Sequence, residues 1–192
     1  MNAGHGSLPV AARVRRLEER VIAAGLATGE ELDDALGRLY ATASPVNGAR
    51  IVARAWADQG YADRLVADGN AAAAELGLAT DGYRLRAVAN TASLHNMVVC
   101  TLCSCYPVGL LGPSPSWYKS LAYRSRAVRE PRAVLAEFGL DLPASTEIAV
   151  WDASAETRYL VVPRRPAGTG GLAEDALAQL VTRNGLIGTA AV

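Results

Sequence analysis

Every cysteine of the chain lies in one short string, Val98-Val99-Cys100-Thr101-Leu102-Cys103-Ser104-Cys105-Tyr106-Pro107. Thiolates three residues apart can close on one metal ion, because a single turn brings both sulfurs to one point. A third thiolate two residues further on forces a tighter chelate, which draws in the backbone nitrogens of Ser104 and Cys105. With those amides deprotonated, the segment offers three sulfurs and two nitrogens and leaves a sixth position open. So anionic a donor set suits trivalent cobalt or iron better than zinc, whose sites favour four tetrahedral ligands. An open position takes water, and a bound cation lowers the pKa of that water. On spacing alone two other readings stand beside a catalytic metal. One is structural zinc, for which His95 is the only nearby fourth ligand, His5 lying far off near the N-terminus. The other is a set of redox-sensing thiols.

Three cysteines in one spot argue against a disulfide framework and for a reducing, cytoplasmic setting in which thiols serve as ligands. The first seven residues show no basic stretch followed by an apolar one, so no secretory leader is expected. Lys+Arg 19 against Asp+Glu 19 leaves no net charge, hence no electrostatic footprint for nucleic acid or an anionic membrane. The apolar runs fall far short of the about 20 residues that a membrane span needs. Hydrophobic content of 51% supports a real core, and with Phe138 the only Phe that core is mainly aliphatic.

The elements that must hold the cysteine string read as helices first and strands later, the α+β signature. Ser7-Leu8-Pro9 opens a helix whose apolar positions Val10, Val14, Leu17 and Val21 recur at helical spacing, with Gly25 as its stop. Thr28-Gly29-Glu30-Glu31 is a capping box for a second helix carrying Leu32 and Leu36. Each has only a thin apolar stripe, which fits either a hairpin packed on its own domain or an arm wrapping another subunit. Ser44-Pro45 opens a third helix with Ile51, Val52, Ala55 and Trp56 buried and Gly60 as its break; Tyr61 to Leu76 reads as a fourth, ended by Gly77. The expected architecture is an N-terminal helical arm of about four helices, then a layered α/β domain with a small mixed sheet carrying the cysteine loop. The domain boundary is placed between an arm, 1–44, and a metal-binding catalytic domain, 45–192. Tyr83 to Val88 and Met97 to Val99 read as strands; 106–116, rich in Pro and Gly, as a loop. Trp117 to Val128 and Pro131 to Phe138 read as helices. Glu147 to Trp151 and Thr157 to Val162 read as two strands of a hairpin, followed by a helix over Leu172 to Val181 and a last strand at Leu186-Ile187-Gly188.

Val99-Cys100-Thr101-Leu102-Cys103-Ser104-Cys105 resembles the claw motif of the nitrile hydratase alpha subunit. The resemblance runs on through Trp117-Tyr118-Lys119-Ser120, Tyr123-Arg124-Ser125-Arg126, Val128-Arg129-Glu130-Pro131-Arg132, Val134 to Gly139, Glu156-Thr157-Arg158-Tyr159 and Arg165 to Thr169. Upstream, Ile51 to Trp56 and His95-Asn96 also fit, so it spans roughly 45–190.

The resemblance implies a lyase subunit that hydrates a small-molecule nitrile to its amide. It implies one non-corrin Co(III) per chain, with Fe(III) the alternative, held by Cys100, Cys103 and Cys105 and by the amides of Ser104 and Cys105. Thr101, where the iron type has Ser, is the cobalt pattern. Cys103 would be the sulfinic acid and Cys105 the sulfenic acid, with Cys100 a plain thiolate. The metal would supply Lewis acidity, and whether an activated hydroxide or the Cys105 sulfenate oxygen attacks is left open. Ser104 would hydrogen-bond water or substrate. Arginines clamping the oxidised sulfurs would come from a beta-type subunit, one chain or split in two, and a cobalt-insertion activator protein is expected. From this chain Trp117, Arg124, Arg126 and Arg158 are candidates for the pocket wall or the sulfur surroundings, each set against a plain core or ion-pair role.

The chain departs from the family pattern at Asp81-Gly82-Tyr83, at Ala89, where a carboxylate is usual, and at Gly170-Gly171-Leu172. These changes bear on hydrogen bonding around the site, substrate shape and the partner surface. Two alternatives follow. The first is a thiocyanate hydrolase-type subunit, which shares claw and metal; the second is a non-catalytic metal or zinc protein.

Overall fold

The computed structural model describes residues 9–80, 82–103 and 105–192. The expected cap at Ser7-Leu8, the distant His5, the departure at Asp81 and the expected ligand Ser104 lie outside the described residues. By the density of its internal packing the chain divides into two units, the first ending at Ala41 and the second running from Thr42 to Val192.

The first unit holds α1 (Val10–Ala23) and most of α2 (Gly29–Thr42). The capping box forms as expected: the Glu31 N–H donates to Thr28 Oγ1 at 3.1 Å and the Thr28 N–H donates to Glu31 Oε2 at 2.8 Å. None of the α1 residues is buried, and its stripe of Val10, Val14 and Leu17 stays exposed.

In the second unit α3 (Pro45–Ala57) starts at Ser44, whose hydroxyl accepts from the Val46 N–H, and buries Ile51, Val52 and Ala55. The helix stops at Asp58 rather than Gly60. The Asp58 carboxylate caps α4 (Gln59–Ala67) by accepting from the Tyr61 N–H at 3.0 Å, so Gly60 lies inside that helix's first turn. In the same way Asp68 accepts from the Ala71 N–H and opens α5 (Gly69–Glu75). The expected helix over 61–76 is therefore two, because an aspartate in extended conformation satisfies the orphan donors of a new helix better than it continues the old one.

Four strands follow: β1 (Arg84–Ala89), β2 (Leu94–Val99), β3 (Glu147–Asp152) and β4 (Thr157–Val162). They make two parallel pairs, β1 with β4 and β2 with β3, in place of a single small mixed sheet. The β3–β4 hairpin is a correction too, since each of these strands pairs with an earlier one. Consecutive burial explains why: Met97 to Val99 and Leu160 to Val162 are buried residue after residue. Strands covered on both faces favour parallel pairing, whereas a hairpin with one wet face alternates.

Between β2 and β3 run α6 (Val108–Leu111), a 3₁₀ turn at Ser116–Lys119, α7 (Leu121–Arg129) and α8 (Pro131–Glu137). Ser120 splits the helix expected over 117–128 by accepting from the Tyr123 N–H and capping α7. After β4 come α9 (Glu174–Leu180) and α10 (Arg183–Ile187). The expected last strand at 186–188 is thus helical. The Thr182 hydroxyl caps α10 by accepting from the Gly185 N–H at 3.1 Å, and Gly188, at φ +86°, ends it. The main core joins Ile51, Val52, Leu65, Met97, Leu135, Leu160 and Leu186. On this frame the cysteine string begins at the C-terminal end of β2, where the chain leaves the strand for a long crossover.

Candidate metal centre

The last residues of β2 deliver the turn from a rigid base. Val99 and Cys100 are fully buried, and Val99 lies opposite Asp152 in the β2–β3 register. That register brings the Asp152 carboxylate under the turn. It accepts from the Thr101 N–H at 2.9 Å and, in a second short bond, from the Thr101 hydroxyl. Opposite, the Arg124 guanidinium on α7 donates from Nε to the Cys100 carbonyl at 3.0 Å and from Nη2 to the Thr101 carbonyl. The Tyr118 hydroxyl donates to the Cys105 carbonyl at 3.0 Å, and the Tyr123 hydroxyl to the Val98 carbonyl at 2.7 Å. Their rings belong to an aromatic cluster: Trp117 meets Tyr123 and Phe138 edge to face, with centroids 4.8 and 4.7 Å apart.

The ties from Asp152, Arg124 and Tyr118 hold the turn in which the sulfurs gather. Cys100 Sγ lies 3.5 Å from Cys103 Sγ, which lies 2.9 Å from Cys105 Sγ, and all three fall within 4.8 Å of one another. Two sulfurs each about 2.3 Å from one ion sit about 3.3 Å apart at right angles and about 3.8 Å apart in a tetrahedron. The observed 3.5 Å separation falls between these two values and the 2.9 Å one below both, so neighbouring sulfurs are close enough to share one ion. Burial, and then the hydrogen bond with Cys103, push the Cys105 thiol up to about 12, while the Arg158 charge pulls the other way. Crowded thiols resist ionising next to one another, and a bound cation is what relieves that resistance. The donor set therefore fits a metal ion.

His95 does not complete a zinc site. It is buried, and its Nε2 lies 2.7 Å from the Gly188 carbonyl, which can only accept, so Nε2 carries the proton. Nδ1 then accepts from the Asn90 side-chain NH₂ at 3.2 Å. Asn90 cannot be turned over, because its Oδ1 accepts from the Asn96 N–H. Both ring nitrogens are thus engaged away from the sulfurs.

The other sequence candidates fall in different places. Arg124 grips the turn from behind through its carbonyls. Arg126 faces away, paired with Glu130 at 2.8 Å and with Glu137. Trp117 is half-buried within the aromatic cluster. Arg158 is close enough to Cys105 for its charge to act on the thiol, and its guanidinium lies 5.4 Å from the centre of the Tyr83 ring. Its Nε and Nη1 are buried without a hydrogen-bond partner. Sequence reasoning missed Asp152, Tyr118 and Tyr123. Asp152 was readable only as part of a connecting loop, because its role depends on the register between strands more than fifty residues apart. The two tyrosines stood within a recognised motif but carried no sign that the Tyr118 hydroxyl reaches the turn and the Tyr123 hydroxyl the strand before it.

The comparisons with known proteins decide the family. The family described as nitrile hydratase, alpha chain, matches residues 8–190. The chain belongs to the nitrile hydratase alpha-chain family. It is 47% identical to the low-molecular weight cobalt-containing nitrile hydratase subunit alpha of Rhodococcus rhodochrous, covering 97% of this chain and 93% of that one. It is also 47% identical to the thiocyanate hydrolase subunit gamma of Thiobacillus thioparus, over 78% of this chain and 66% of that one. Among solved structures, a double-histidine mutant of the Fe-type nitrile hydratase from Comamonas testosteroni Ni1 superposes with a TM-score of 0.87. It has 41% identity and covers 96% of this chain and 92% of that one. The mixed helical and parallel-strand architecture is therefore that of nitrile hydratase alpha chains, and the turn with its three sulfurs lies within the matched region.

Proposed function

We propose that the chain is the metal-carrying alpha subunit of an enzyme that adds water to a nitrile to give the amide, and that its resident ion is cobalt. The observation that carries this reading is the convergence of Cys100, Cys103 and Cys105 Sγ at the end of β2, in a chain of this family. Cobalt is favoured by the cobalt-containing relatives and by Thr101. Cys100, Cys103, Cys105 and the amides of Ser104 and Cys105 would hold the ion. Once bound, it supplies Lewis acidity and lowers the pKa of water in the open position.

The chain's own residues supply the setting. Cys100 anchors the turn from inside the core, while Cys103 is exposed and Cys105 half-buried. Asp152 and Arg124 hold the entry to the turn through Thr101 and Cys100. A sulfinic group at Cys103 and a sulfenic group at Cys105 would carry charged oxygens, and these call for cations. Arg158 is near enough to serve from this chain, and the rest come from a beta-type partner. Residues 1–44 would be the arm and 45–192 the catalytic domain.

The test is co-production with the partner chain, followed by metal analysis, intact mass and assay of a propionitrile-like substrate. Expected are stoichiometric cobalt, added oxygens on Cys103 and Cys105 but not Cys100, and amide product. Zinc in the matured complex with unmodified cysteines refutes the enzyme reading. A second reading rests on the thiocyanate hydrolase relative: carbonyl sulfide from thiocyanate, and no amide from nitrile, would establish that activity instead.

A further inference from the structure

Two of the ties on the turn come from one stretch, residues 117–124, and grip it at opposite ends. Arg124 holds the entry through the Cys100 and Thr101 carbonyls, and Tyr118 holds the exit through the Cys105 carbonyl. The Tyr118 side chain is fully buried, and its ring is fixed by Tyr106 at 5.1 Å and Trp117 at 6.1 Å, so the hydroxyl has little freedom to follow a moving turn. The Arg124 fork reaches two successive carbonyls, a match a lysine ammonium lacks. Every acceptor in this grip is a main-chain oxygen, so the hold does not consume a sulfur.

We infer that Tyr118 and Arg124 are positioning residues that gather the three thiols before any metal arrives. This rests on reading the three cysteines as ligands. The physical consequence is an ordering cost already met in the metal-free fold, so that less of the metal's binding energy goes into fixing the turn. Tyr123 provides the contrast. Its hydroxyl makes an equally buried bond, but to Val98, inside β2 rather than in the turn.

The experiment titrates the full-length, metal-free, reduced chain with cadmium, a soft ion that reports thiolate ligation through its sulfur charge-transfer absorption. One hydrogen bond lost corresponds to roughly a 2- to 13-fold fall in affinity. That fall is expected for Tyr118→Phe, and a similar one for Arg124→Lys. Hydrogen exchange of the amides from 101 to 106 should quicken in both metal-free variants. Tyr123→Phe should lower the melting temperature while leaving cadmium affinity unchanged. Unchanged affinity in both Tyr118→Phe and Arg124→Lys, with wild-type uptake intact, overturns the positioning role alone. So does an equal loss in Tyr123→Phe, which would make the effect one of general stability. A wild-type chain that takes up no cadmium overturns the ligand reading, and the positioning role with it.

Discussion

Replacing Gly188 by alanine tests whether the end of α10 is a fixed support for the strand that carries the cysteines. Gly188 has φ +86°, and a Cβ there would sit 2.0 Å from the Asn96 carbonyl oxygen and 3.0 Å from the Met97 Cα. The obstacle is β2 backbone, held by its pairing to β3, so it cannot swing aside as a side-chain tip would. The left-handed conformation costs a non-glycine residue about 1–2 kcal/mol, and forced overpacking adds about 1–3 kcal/mol. Together these amount to about 2–5 kcal/mol, or roughly 4–20 °C of melting temperature for a domain of this size. Gly139→Ala isolates the first part, because Gly139 also ends a helix at positive φ, +79°, with nothing within 4 Å of its added Cβ. Urea and thermal unfolding of the two variants should separate them by about 1–3 kcal/mol at unchanged m-value. If Gly188→Ala is no less stable than Gly139→Ala, the close contact between α10 and β2 does not exist as described.

Two further outcomes follow from the site. A double-mutant cycle of Thr101→Val and Asp152→Asn should give a coupling of about 0.5–1.5 kcal/mol in unfolding free energy, and additivity within error would remove the hydroxyl–carboxylate bond from the turn's support. Burial holds the His95 imidazole below its ordinary value of about 6.5, outweighing the opposing pull of the Gly188 carbonyl. The folded protein therefore takes up this proton later than the unfolded chain as pH falls. The contribution of His95 to stability is complete above about pH 6.5 and is lost below it. A His95→Gln variant should show a flatter fall in stability between pH 7 and pH 5 than the wild type, and identical slopes would show that His95 does not titrate on unfolding.

What could be read from the chain beforehand divides by range. The capping box at Thr28 and Glu31, the stripe of α3 and the strands β1 and β4 rest on neighbours in sequence, and local spacing located them. The breaks at Asp58 and Asp68 were also local, but glycine at position 60 drew attention from the aspartate that does the capping. The failures at β3–β4 and at 186–188 have one cause. Short apolar runs do not say what they will pair with, and here the partners lay across the crossover or in a helix cap. The cysteine string was readable because its chemistry is written in six residues. Its supports were not, since Asp152 and Tyr118 reach it only through register and packing.

The three sulfurs also differ in depth. Cys100 is sealed within the core, Cys105 is half-covered and Cys103 stands open to solvent. An oxidant diffusing in from water meets Cys103 first and finds no approach to Cys100 unless β2 itself gives way. In the proposed maturation, the depth of each sulfur would bear on which thiols of a chemically uniform trio gain oxygen. A mass measurement of the matured protein would read that depth as much as it reads the metal.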